Sequence, residues 1–111
     1  MSPHFPWDKV DDFSELKGFS DALNLKWDSI NSNTFQDQQG QEHSFKYGSL
    51  SNTSKASRDL AIAHNLECIK WGQELGSKTL TVWVGDGSNH PGQQHFQHAF
   101  ERYLESMKEI Y

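Results

Sequence analysis

Polar and apolar residues alternate along this chain in two rhythms, one helical and one strand-like. Over residues 13–23 the apolar positions Phe13, Leu16, Phe19 and Leu23 recur at helical spacing. Ser14 stands near the start and Asn24 can take the left-handed end position, which predicts a short helix. Residues 25–30 alternate as a half-buried strand does, and Asn31-Ser32-Asn33-Thr34 predicts the turn after it. A long helix is predicted over 54–75, with Thr53 or Ser54 as cap, Asp59 in its first turn, Gly76 at its end, and Ile62, Leu66 and Ile69 on its inner stripe. Residues 79–84 form a nearly continuous β-rich run, the kind expected when both sheet faces are covered. From about residue 92 to 111, Phe96, Phe100, Tyr103, Leu104, Met107 and Tyr111 share one helical stripe. Phe96 and Phe100 are expected to turn inward, toward a surface that this chain does not itself supply.

The opening stretch, Ser2-Pro3-His4-Phe5-Pro6-Trp7-Asp8, reads as a strand giving way to a loop, and Gly85-Asp86-Gly87-Ser88-Asn89 plays the same part after Trp83. Strands alternating with helices predict the α/β class, with consecutive βα units. In such folds ligands bind at the C-terminal ends of the strands. The polar stretch 35–52 is long for a connector, which makes it a candidate lid or subunit contact, or else a mobile insertion.

Composition narrows the function classes. With 111 residues the chain is at most one small domain, and no domain boundary is visible. Hydrophobic residues make up 34%, a thin core for an isolated α/β domain. The net charge is −5, with 10 basic residues scattered among 15 acidic ones, so nucleic acid is not an expected partner. No apolar run reaches membrane-spanning length and no secretory pattern opens the chain, which makes a cytoplasmic location the default expectation. Asn52-Thr53-Ser54 matches a glycosylation sequon, which carries no weight without secretion. Cys68, the single cysteine, reads as a packed thiol rather than a nucleophile.

Most chemical motifs have a plainer explanation. Gly85-Asp86-Gly87 lacks the remainder of a dinucleotide fingerprint and no P-loop lysine follows, so it reads as a tight turn. His90, His95 and His98 lie close in sequence, but with no carboxylate or thiolate beside them on the same face they read as a solvated helix face rather than a metal site. Asp11-Asp12 suits a helix N-terminus, and no nucleophile elbow accompanies the serines. His43 and His64 have no pattern around them. His4, Trp7 and Trp83 differ because each falls at a strand's C-terminal end. Aromatic rings cover the apolar C–H faces of a sugar and an imidazole can bond its hydroxyls, so these three predict a monosaccharide pocket, unless they are core aromatics.

Several runs together resemble one family. They are His4-Phe5-Pro6-Trp7-Asp8-Lys9, Asn31-Ser32-Asn33-Thr34-Phe35, Lys46-Tyr47-Gly48-Ser49-Leu50-Ser51, His64-Asn65-Leu66-Glu67-Cys68-Ile69, the stretch from Leu80 to Asn89 with Pro91-Gly92-Gln93, and Ala99-Phe100-Glu101-Arg102-Tyr103-Leu104. In family order and across essentially the whole chain, they resemble the metal-dependent L-rhamnose isomerases of the broad-specificity bacterial type. The resemblance implies an α/β chain that is part of a (β/α)8 TIM barrel, about three consecutive βα units and incomplete at both ends, since a whole barrel takes roughly 250 residues. It further implies that His4 contacts a monosaccharide substrate, that Trp7 and Trp83 form aromatic walls, and that Phe35 reaches a neighbouring subunit's pocket in a homotetramer. The divalent cation of the family, typically manganese, is implied to be held by residues absent from this chain, which should not catalyse alone. The alternative is a small, stand-alone, non-catalytic α/β binding or interaction domain.

Overall fold

The computed structural model describes residues 1–85 and 92–111. The turn after Gly85 and the start of the last predicted helix near Pro91 therefore lie outside the described residues, as does His90. The elements run β1 (His4–Phe5), α1 (Phe13–Ala22), β2 (Ser29–Asn33), α2 (Lys55–Leu75), β3 (Thr79–Trp83) and α3 (Phe96–Ile110). The architecture is α/β, with three helices and a three-stranded parallel sheet in the order β1-β2-β3. The chain divides into two compact units: Met1–Asn33 with Leu66–Val82, and Thr34–Asn65 with Trp83–Tyr111.

The core of the first unit is built from Phe5, Phe13, Ile30, Cys68 and Leu75, with Trp27, Trp71 and Leu80 against it. Phe5 meets both Phe13 and Trp71 edge-on, at 5.6 and 4.9 Å between centroids, while Phe13 stacks on Trp71 at 5.5 Å. These are the geometries that the ring quadrupole favours. Asp12, rather than Ser14, starts α1, because its carboxylate accepts the Glu15 amide at 2.9 Å. Asn24 ends the helix at φ 55°, the left-handed conformation its sequence position predicted.

Strand β2 corrects the sequence reading by several residues. The expected strand 25–30 contributes only its last two positions, and the Asn-Ser-Asn run read as a turn is itself strand and buried. Turn propensity fails here because both asparagines bond across the sheet. The Asn31 side-chain amide donates to the Pro3 carbonyl at 3.1 Å, and that of Asn33 to the Phe5 carbonyl at 2.9 Å. With β1 paired in register His4 to Asn31 and Phe5 to Ser32, these side chains extend a ladder only two residues long.

Helix α2 has nearly the predicted span: the Ser57 amide donates to Ser54 Oγ at 3.4 Å near its start, and Gly76 turns left-handed at φ 80° beyond its end. Of the stripe expected, Ile62 is buried, but the rest of the buried face is different. Ala61, Asn65, Cys68, Gly72 and Leu75 face inward at alternating steps of four and three residues, whereas Leu66 is exposed and Ile69 only partly covered. Small residues occupy this face because the strand lies close: a Cβ on Gly72 would come within 2.9 Å of Ile30 Cγ1. Strand β3 was expected to be covered on both faces. Instead it alternates exposed and half-covered residues at the edge of the sheet.

In the second unit, α3 buries Ala99, Ser106 and Ile110. Ser106 donates to the Leu50 carbonyl and Arg102 Nε to the Ser51 carbonyl, both at 2.8 Å. Phe96 and Phe100, expected to turn toward a surface outside this chain, form an exposed stripe with Leu104. The apolar period was legible, but Ala99 and Ser106 join Ile110 in supplying the buried face. No described helix is long and apolar enough to cross a membrane.

Candidate functional site

Each unit carries one pair of the predicted sugar contacts. In the first, His4 lies in β1 and Trp7 follows on a turn closed twice by Asp8. The His4 amide donates to the Asp8 carboxylate at 2.7 Å, and the Asp8 amide returns to the His4 carbonyl at 2.9 Å. The His4 ring places Nδ1 3.5 Å from Asn33 Oδ1. Because the Asn33 amide nitrogen already donates to the Phe5 carbonyl, its oxygen is the atom left to meet the ring. In the tautomer with a proton on Nδ1, the opposite nitrogen Nε2 is an acceptor. Trp7 is 47% exposed.

In the second unit Phe35 and Trp83 meet edge-to-face at 6.5 Å and 68°, each about half exposed. Their backbones are fixed from several directions. The buried Thr34 hydroxyl lies 3.1 Å from the Trp83 carbonyl and 2.9 Å from Ser49 Oγ. The Ser49 amide donates to the Gly85 carbonyl at 2.9 Å, and a Cβ on Gly85 would fall 3.0 Å from Phe35 Cα. Glycine is therefore what lets the end of β3 reach the Phe35 backbone. Residues 34–49 thus leave and return to one point, the compact form of an Ω-loop. This stretch is bound internally and carries Phe45 into the unit, with Leu50 buried just after it, while Tyr47 stays exposed.

Asn33, Thr34, Ser49 and Gly85 entered the sequence reading only within turns and motif runs, not as site residues. Only Asn33 left a signal, the two-residue spacing from Asn31 that puts both amides on one side of a strand.

The other candidates resolve simply. His95 caps α3, its Nδ1 accepting the His98 amide at 3.3 Å, and the two rings stack at 4.0 Å. Among the described residues no three His, Cys, Asp or Glu side chains converge to hold an ion. Cys68 is fully buried, and burial pushes its thiol up to about 12, against the opposing effect of the Ser32 hydroxyl. A thiol so placed is not a nucleophile at neutral pH.

Two curated proteins match the chain from end to end. One is a protein named "probable sugar isomerase" of Rhizobium meliloti, 61% identical over all 111 residues. The other carries the same name in Mesorhizobium japonicum and is 53% identical over the same span. The chain spans 26% of the length of each. No family model matches.

Proposed function

We propose that this chain is a segment of a metal-dependent aldose–ketose isomerase that interconverts L-rhamnose and L-rhamnulose and related sugars, and that it supplies substrate contacts rather than the metal centre. The observation that carries the reading is the end-to-end likeness to two probable sugar isomerases. The aromatic residues supply its chemistry. Trp83 presents half-exposed ring surface to the apolar face of a sugar, and His4 offers a ring nitrogen to a hydroxyl. Trp7 provides a further wall on the turn after β1. Phe35 contributes to a neighbouring subunit's pocket in a homotetramer.

A divalent cation, manganese in this reading, would polarise the sugar's oxygens so that hydrogen can move between C1 and C2. The described residues do not fit such an ion, since no ligand set converges among them. This chain's part is accordingly to bind and orient the sugar and exclude water from it, and no step of the hydrogen transfer is assigned to it. The test is to assay the full-length protein for conversion of L-rhamnose to L-rhamnulose with manganese. Turnover is expected. A folded, manganese-supplied protein that isomerises neither L-rhamnose nor related aldoses overturns the proposal and favours a non-catalytic binding module.

A further inference from the structure

Within the 34–49 loop, residues 37–45 are gathered around one carboxylate. Asp37 Oδ1 accepts the Phe45 amide at 2.5 Å and Gln41 Nε2 at 3.2 Å, while Oδ2 accepts the Ser44 hydroxyl at 2.6 Å. Gln41 extends the hub, donating to the His43 carbonyl at 2.6 Å and accepting the Gln38 amide at 3.1 Å. The far side of this turn is seated on the unit: Phe45 is buried, and the Ser44 carbonyl accepts from Ser57 Oγ at 3.2 Å at the start of α2. Asp37 therefore ties the exposed backbone after Phe35 to an anchored segment.

On the other side of Phe35, Thr34 is fixed to Ser49 and to the Trp83 carbonyl. Phe35 stands between these two clamps, one residue after the first and two before the second. A half-exposed ring adds little to the core, so what two clamps secure at this position is the direction of the ring. The Ser44 hydroxyl and then the Phe45 amide hold the Asp37 carboxyl below its ordinary value, with burial opposing, so the acceptor is an anion throughout the neutral range.

We propose that Asp37 is a positioning residue for Phe35: by gathering Gln41, Ser44 and Phe45 it holds the ring in the attitude that contacts the sugar, without touching the substrate itself. This rests on the reading of Phe35 as a sugar contact.

The test uses the full-length protein. Asp37→Ala is expected to raise KM for L-rhamnose on the order of tenfold with kcat within about twofold, the pattern of lost binding rather than lost chemistry. Asp37→Asn, which keeps an acceptor for the Phe45 amide, should restore most of that loss, and it carries the test should the alanine variant fail to fold. The Phe35→Ala/Asp37→Ala double variant should be no worse than Phe35→Ala alone, because residues acting through one another do not add. Additive losses, or a fall in kcat with unchanged KM, overturn the proposal. Backbone hydrogen exchange supplies a readout that needs no activity: Asp37→Ala should speed exchange at the Phe35 and Phe45 amides, and unchanged exchange at Phe35 overturns the proposal. Faster exchange in a protein that turns over no sugar refutes the isomerase reading while supporting the action of Asp37 on Phe35.

Discussion

Gly85→Ala places a single methyl group where the end of β3 passes the loop, and the structure sets the size of the effect. The new Cβ would lie 3.0 Å from Phe35 Cα and 3.3 Å from Phe35 Cβ, and the nearer atom is backbone and cannot rotate away. Forcing an extra methyl into a packed contact costs about 1–3 kcal/mol. Replacing glycine by alanine also narrows the unfolded ensemble, which returns about 0.4–1 kcal/mol where the backbone conformation suits alanine. The steric cost wins, for a net loss of about 1–2 kcal/mol concentrated where the Ser49 amide meets the Gly85 carbonyl. Local opening there should become roughly 5–30 times more populated. The assay is native-state hydrogen exchange read at the Ser49 amide, which should speed up by that factor, while amides of the first unit's core, such as Ile30, hold their rates. Unchanged or slower exchange at Ser49 would mean that the loop backbone yields freely, and would refute the claim that this close approach fixes Phe35.

Removing the Trp83 indole by Trp83→Ala should lower kcat/KM for L-rhamnose in the full-length protein by about three- to tenfold, the range for a half-exposed aromatic partner, and Trp83→Phe should lose less. Wild-type efficiency in a folded, metal-loaded alanine variant would make Trp83 a packing residue. Thr34→Val should cost about 1–2 kcal/mol in denaturant unfolding, because it removes the one buried hydroxyl that bridges the Trp83 carbonyl and the buried Ser49 hydroxyl; a neutral result would show that the loop closes without this hydroxyl. Cys68 should resist thiol reagents in the native protein at pH 8 and react only on unfolding. Its raised value has a definite sign in stability: above the ordinary thiol value the unfolded chain releases a proton that the folded one keeps, so stability falls as pH rises from about 9 toward about 12. Native labelling at the rate of a free thiol would contradict the burial.

The helices were legible in the sequence because capping and termination are local: Asn24 and Gly76 end their helices as left-handed residues wherever the rest of the chain goes. The strands were less so. Asn31, Ser32 and Asn33 have turn chemistry, and only the carbonyls of a strand nearly thirty residues away convert them into strand. Helix faces were misjudged for a related reason. The long apolar residue Leu66 attracts attention, but the buried faces include Ala61, Gly72, Ala99 and Ser106, and at Gly72 it is small size that admits Ile30. At the candidate site the rings were visible as residues at strand ends, whereas Thr34 and Ser49 hold the backbone through contacts distant in sequence and Asp37 through an irregular turn, for which composition and periodicity leave no trace.

The two asparagines of β2 also decide where the opening segment lands. A two-residue strand has too few ladder bonds to select its own alignment, and sliding it by one residue would invert its faces and carry the Pro3 and Phe5 carbonyls away from the amides waiting for them. The address of His4 is therefore written in β2 rather than in β1. Apolar replacements at Asn31 and Asn33 would erase that address while leaving His4 itself unchanged.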